Sequence, residues 1–350
     1  MAAGATRELR VGFVPLVDAA NVIVAGRLGF AEAEGLRLVL SRERSWASVR
    51  DKLSVGYLDA AHVLSPMLLA SVLGLGNFRS PLMTPVMLSR DGNEVTLSAA
   101  LAGLCEQRLG YRPGDPQGWA RAVASVVREG QKAGAPPLSF ACVFPFSSHA
   151  YLLRDWLSEA GVSVDRDVHI TVLPPTMMAD ALAEGTIDGF CAGPPWGRLA
   201  QERGAGRIAF RAVHLERNVP EKALALRRND PLRDRDTVHA LVRAVVAASR
   251  WVADEANAGE LHALLARPDA VGVPADTIRA AVERSGMLLW GDDALRPRAA
   301  YGRWIAERMV RAGQVVERAD ETAAAARESF RTDLYDAALA GDAQSVGNNP

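Results

Sequence analysis

From Leu9 to Gly204 the sequence alternates short β-type runs with amphipathic helical stretches, and after about Asp230 it carries helical spacing alone. Such alternation implies βαβ units and a largely parallel sheet. The expected strands are RVGFV (centred on 11–14), LRLVL (36–40), AAHVL (60–64), PVMLS (85–89), EVTLS (94–98), SFACV (139–143), HITVL (169–173), GFCAG (189–193) and RIAFR (207–211). Helices are expected near 19–34, 46–56, 66–74, 115–133, 148–160, 176–184 and 196–203. Beyond Asp230, HALVRAVVAASRWVADEANA, GELHALLA, ADTIRAAVERSG and RAAYGRWIAERMVRAG repeat the helical period. There is no short-period repeat, and the only low-complexity segment is the polar end QSVGNNP.

A chain of 350 residues with 49% apolar content exceeds one hydrophobic core, so two packed units are expected. The expected fold class is α/β and bilobal, with a helical C-terminal part. One lobe combines residues 1–97 with 211–350, the other is 98–210, and the chain crosses near Leu97 and Phe210. In open α/β folds ligands sit where strands end and helices begin, so the expected ligand site is the cleft between the lobes.

Forty basic and 41 acidic residues leave a formal charge of −1, which argues against a broad surface for nucleic acid or anionic lipid. Cys105, Cys142 and Cys191 form no CxxC pair, so neither a disulfide framework nor a zinc site is suggested. The apolar start is interrupted by Asp18 and Asn21 and lacks a cleavage-site pattern, which reads as a first strand rather than a leader. No run approaches the roughly 20 apolar residues of a membrane helix. A cytoplasmic location is expected.

Four stretches put polar or aromatic residues at element boundaries. In SRERSWASVR, Ser45 is a candidate N-cap and Trp46 stands in the first helical turn, where it could serve core packing or a ligand. In SRDGNEVTLS, Asp91-Gly92-Asn93 reads as a hairpin turn and Ser98 as a cap for the next helix. In FPFSSHAYLLRDWL, Ser147 or Ser148 opens a helix whose free N–H groups favour a small anion, with His149 in the same turn. In RNVPEKALALRR, Lys222 falls just before an apolar strand. Each has an ordinary structural role open to it. Together Trp46, Asn93, His149 and Lys222 offer donors and one flat aromatic face, which suits a small planar anion.

Catalytic signatures are lacking: there is no GxSxG, GxxxxGK[ST], HExxH or helix-opening GxGxxG. The six histidines show no ligand spacing, and His62 inside AAHVL reads as a core or cleft histidine. Cys191 in GFCAGPPW ends a strand facing the expected cleft, but no base is assigned to it, and a buried thiol is the simpler reading. No enzyme, cofactor or metal is expected.

The stretches SWASVRDKLSVGYLDAAHVLSPMLLASVLGLG, DGNEVTLSAAL, FPFSSHAYLLRDWLSEAGVSVDRDVHITVLPP, TIDGFCAGPPW and PEKALAL, in order from about residue 8 to about 315, resemble the nitrate- and bicarbonate-binding proteins of bacterial ABC importers (NrtA/CmpA-like). They also resemble the cytoplasmic relative of that family, the NasS-type nitrate/nitrite sensor. The resemblance implies a type II periplasmic-binding-protein-like fold and a nitrate-sized ligand held by Trp46, Asn93, His149 and Lys222. Trp46 packs on the anion's plane and the other three donate. The importers often carry Gln where Asn93 stands, which makes Asn93 a shorter donor. A lysine in PEK suits an anion without a metal, whereas the bicarbonate branch carries a carboxylate there and uses calcium. That favours nitrate or nitrite.

The early first strand selects the sensor within this resemblance. Such a sensor holds an RNA-binding antiterminator of the ANTAR type, NasT-like, and releases it when the ligand binds. The alternatives are an importer's binding protein whose leader is missing from the sequence, and an enzyme on the same scaffold, such as the thiamine-pyrimidine synthases.

Overall fold

A computed structural model describes residues 6–109, 115–229, 234–287, 289–316 and 319–345. Of the polar C-terminal end, 346–350 lie outside the described residues.

The strands are β1 (Arg7–Phe13), β2 (Leu36–Arg42), β3 (Ala60–Leu64), β4 (Leu82–Arg90), β5 (Glu94–Ser98), β6 (Leu138–Cys142), β7 (Val168–Val172), β8 (Gly189–Ala192), β9 (Gly206–Arg211) and β10 (Pro220–Arg227). The helices are α1 (Ala20–Arg27), α2 (Trp46–Ser54), α3 (Ser65–Val72), α4 (Ala99–Leu109), α5 (Pro116–Ala133), α6 (Ser148–Glu159), α7 (Met178–Ala183), α8 (Trp196–Glu202), α9 (Arg235–Ala253), α10 (Ala258–Ala266), α11 (Ala275–Ser285), α12 (Asp292–Leu295), α13 (Ala299–Arg311), α14 (Ala319–Ser329) and α15 (Thr332–Ser345).

Two compact units result. The first comprises the described residues of Met1–Arg90, Pro220–Gly272 and Leu288–Pro350; the second comprises those of Asp91–Val219 and Val273–Met287. The expected crossings near Leu97 and Phe210 are therefore displaced, to Arg90–Asp91 and Val219–Pro220. Strand β5 pairs with β8 and β9, so it belongs wholly to the second unit, and α11 joins that unit as a later excursion. The sequence EVTLS does not tell which sheet accepts it: it alternates polar and apolar residues, yet all five are buried.

The first sheet runs β2-β1-β3-β10-β4, with β1 parallel to β2 and β3, and β10 antiparallel to both neighbours. The second runs β7-β6-β8-β5-β9, with β6 parallel to β7 and β8, and β5 antiparallel to both neighbours. The largely parallel sheets of the sequence reading are thus mixed. In each, the reversed strand is the one that follows a crossing of the chain. It enters beside the carboxyl end of a parallel strand: Lys222 pairs with Leu64, the last residue of β3, and Glu94 pairs with Ala192, the last of β8. This brings the first residues of β5 and β10 to the sheet edges where α/β folds place their ligands.

Asp91-Gly92-Asn93 is not a hairpin turn, because β4 and β5 lie in different sheets. Asp91 and Gly92 take φ of +57° and +100°, and the Asp91 carboxylate accepts from the backbone N–H groups of Asn218 and Val219 at 3.2 and 2.9 Å. Asp91 thereby ties the outgoing strand to the returning one. The expected helix 19–34 ends at Arg27, since Gly29 adopts φ +83° and only a 3-10 turn, Glu32–Glu34, follows. Helix α4 is the helix that Ser98 was expected to cap, and Ser98 Oγ accepts from Leu101 N at its start.

The C-terminal helices form as their spacing predicts. Helices α13 and α14 pack through Gly302, where an added Cβ would stand 2.2 Å from the Cβ of Ala326. Gly302→Ala is therefore expected to overpack this contact and lower stability by about 1–3 kcal/mol, read as a reduced urea midpoint at unchanged slope. An unchanged midpoint would show that the two helices separate freely.

Candidate functional site

In the first unit the site begins with elements that follow the parallel strands. The 3-10 turn Val17–Ala19, after β1, carries Asp18. Ser45 caps α2 after β2, accepting from Ser48 N at 3.2 Å, and so fixes Trp46 as the first helical residue. Trp46, His62 and Lys222 are each 0% exposed, and Asp18 is buried. Lys222 was expected before the strand; it lies within β10, next to register shifts that re-aim side chains locally.

Lys222 Nζ lies 2.8 Å from Asp18 Oδ2 and donates to Glu221 Oε2 at 3.3 Å. An ammonium has three donors, so one N–H remains after these two. Trp46 stands beside it, with Lys222 Nζ 6.0 Å from the ring centroid and the His62 ring 5.0 Å away. The Trp46 Nε1–H is buried with no hydrogen-bond partner among the described residues. A buried donor left without an acceptor costs roughly 1–3 kcal/mol, so it marks a place where an acceptor belongs. The tryptophan therefore offers an N–H as well as the expected flat face.

The electrostatics follow from burial and contact. Burial disfavours the Lys222 ammonium, but Asp18 and Glu221 outweigh that and hold its pKa above the ordinary lysine value. Burial works against ionised Asp18 too, yet Lys222 and His62 hold its carboxyl far below the usual range. Burial dominates at His62 and lowers its pKa, assisted by the charge of Lys222 and opposed by Asp18. His62 is thus a neutral imidazole whose Nε2 lies 3.0 Å from Asp18 Oδ1.

In the second unit the corresponding edge carries Asn93 and the start of α6. Ser147 is the N-cap, accepting from Ala150 N at 3.0 Å and donating to Phe144 O at 2.6 Å. Ser148 and His149 occupy the first turn, both 0% exposed. Asn93 Nδ2 donates to Ser148 Oγ at 3.3 Å. Asn93 and the helix start that carries His149 are therefore neighbours, as Trp46 and Lys222 are neighbours in the first unit.

Three further findings correct or extend the sequence reading. Cys191 does not face a cleft: it packs at 0% exposure in the core with Val95, Phe140 and Phe210. Asp18 and Glu221 were not singled out for the site, although Glu221 adjoins Lys222 and Asp18 was visible as the charge that interrupts the apolar start. Glu94, beside Asn93, is a buried acid whose pKa burial pushes up to about 7, with Arg211 and Arg198 pulling the other way. Among the described residues no group of three or more His, Cys, Asp or Glu is arranged to hold a metal ion, and no helix is long and apolar enough to cross a membrane.

Comparison with known proteins places the chain. The bicarbonate transport ATP-binding protein CmpC of Synechocystis sp. is 31% identical over 324 residues, which is 88% of this chain but 46% of that protein. The chain likewise spans 39% of the nitrate import ATP-binding protein NrtC of Synechocystis, so it corresponds to less than half the length of these relatives. The nitrate/nitrite binding protein NrtA of Synechococcus elongatus is 28% identical over 351 residues, covering 94% of this chain and 76% of that protein. The crystal structure of the periplasmic nitrate-binding protein NrtA from Synechocystis shares the fold, with a TM-score of 0.85 over 97% of this chain and 89% of that one, at 23% identity. Solved structures that match along most of both chains include the desulfurization enzyme DszB, at a TM-score of 0.58 and 15% identity, as well as binding proteins, so these likenesses show the fold alone. Residues 2–266 match the model of the NMT1-like family, and the chain belongs to that family.

Proposed function

We propose that this protein binds nitrate or nitrite, with Trp46, Asn93, His149 and Lys222 as the residues that contact the anion. The observation that carries the reading is the pair of uncommitted buried donors in the first unit, the third Lys222 N–H and the Trp46 indole N–H, beside an aromatic face. Donors without acceptors call for a ligand made of acceptors, and nitrate and nitrite offer only acceptors in a plane. The capped start of α6 adds backbone N–H groups of the same polarity. Relatives named as nitrate/nitrite binding proteins agree with this ligand.

At the finer level we propose a cytoplasmic sensor that binds an ANTAR-type, NasT-like antiterminator and releases it when the anion binds, so regulating nitrate assimilation genes. A ligand shifts such an equilibrium only by its differential affinity for the free and partner-bound protein. The second reading, a substrate-binding protein of a nitrate ABC importer, is favoured by relatives whose names place them in import systems. Cell fractionation and affinity capture separate the two. Cytoplasmic recovery of an ANTAR protein, eluted by nitrate or nitrite, supports the sensor; recovery outside the cytoplasm with a permease supports the importer.

His149→Ala is expected to weaken nitrate binding about 10- to 100-fold by isothermal titration, because it removes a buried donor from the first turn of α6. An affinity equal to that of the parent would remove His149 from the site.

A further inference from the structure

Asp18 has no place in the donor set proposed above, yet it touches two members of the buried cluster. Its Oδ2 lies 2.8 Å from Lys222 Nζ and its Oδ1 3.0 Å from His62 Nε2. All three groups are buried, on three different elements: the 3-10 turn after β1, strand β3 and strand β10. We infer that Asp18 is a positioning residue for the anion: its carboxylate grips the Lys222 ammonium with one oxygen and faces His62 with the other, so that Lys222 presents one N–H in a fixed direction.

The physical need is specific to this place. A lysine at 0% exposure loses the water that stabilises its charge, and alone it would shed its proton and become an acceptor for its neighbours. Asp18 prevents that. Among the described residues the ionisable groups facing Lys222 are Asp18, Glu221 on its own strand and His62 on β3; Ser89 of β4 and Trp46 of α2 complete the surroundings without a charge. Glu221 is the more distant partner, at 3.3 Å against 2.8 Å, so most of the hold falls to Asp18. A lysine kept charged makes anion affinity indifferent to pH across the neutral range. One that titrates ties binding to proton uptake.

The claim about the lysine stands by itself, while its consequence for affinity rests on the nitrate reading. The sequence makes the test unusually clean, since Lys52, Lys132 and Lys222 are its only lysines. Protein labelled with carbon-13 at the lysine ε position gives three resonances, the third assigned through Lys222→Met. In the parent protein the Lys222 signal is expected to stay at its ammonium position beyond pH 10.5. In Asp18→Asn its midpoint is expected to fall by at least about one pH unit, and Asp18→Glu to restore part of the shift. Nitrate affinity in Asp18→Asn is then expected to fall about tenfold for each pH unit above that midpoint, against a flat profile in the parent.

A parent Lys222 that titrates below pH 10.5 overturns the inference even if Asp18→Asn does not fold, as does an Asp18→Asn midpoint equal to the parent's. If the lysine behaves as expected and neither protein binds nitrate or nitrite, the ligand reading fails while the role of Asp18 toward Lys222 stands.

Discussion

Lys222→Met is expected to abolish anion binding and to destabilise the protein by about 3–5 kcal/mol, because it removes one partner of a buried ion pair and leaves the other. Asp18, held ionised largely by Lys222, and Glu221 would remain as buried carboxylates without their cation. Lysines are usually solvated, and a solvated lysine is removed at little cost to the fold; Lys222, at 0% exposure, is not of that kind. The double variant Asp18→Asn/Lys222→Met is expected to regain much of the stability, as neutral pairs do, while nitrate affinity stays at least about 100-fold below the parent's. Urea denaturation and calorimetric titration of the three proteins separate the two effects. A single variant as stable as the parent would mean that Asp18 and Lys222 do not depend on each other.

Glu94→Gln is expected to flatten the pH dependence of stability. The buried Glu94 carboxyl has its pKa raised from 4.5 to about 7 in the folded protein. The folded state therefore binds a proton that the unfolded state has already lost over that interval, and stability must fall as pH rises from about 4.5 through 7. The full difference is on the order of 3 kcal/mol, complete above pH 8 and absent below pH 4. The parent and Glu94→Gln proteins should have similar urea midpoints at pH 5, and the variant should be the more stable at pH 8. Arg211, whose Nε is 3.8 Å from Glu94 Oε1, offsets only part of the burial. Equal pH profiles for the two proteins would show that Glu94 is ionised and solvated at neutral pH.

Much of the fold was legible because its helices are amphipathic and its strands are short apolar runs bounded by turn residues. Nine strand segments and the helical character beyond Asp230 follow from periodicity. Strand direction was not legible: β5 and most of β10 are buried on both faces, so nothing in EVTLS or PEKALALR reports that they run against their neighbours. The crossing points depend on that direction, and they moved with it.

Capping chemistry fared better. Ser45 and Ser147 are the caps that the local sequence implies, which puts Trp46 and His149 in first helical turns. The acids around Lys222 were hidden for a different reason. Asp18 is 204 positions away in the chain, and its polar side chain inside an apolar stretch was a visible anomaly whose meaning depends on a partner that only the sheet order supplies. Buried charges need such partners, so an acid in an apolar run is a signal for a cation elsewhere.

If the protein is a receptor for a small planar anion, calorimetric titration with nitrate, nitrite, bicarbonate and sulfate will show it. Saturable binding of nitrate or nitrite is expected, with little response to bicarbonate and sulfate and loss of the signal in Lys222→Met. Absence of binding by nitrate and nitrite alike, or a preference for bicarbonate or sulfate that survives Lys222→Met, would contradict it.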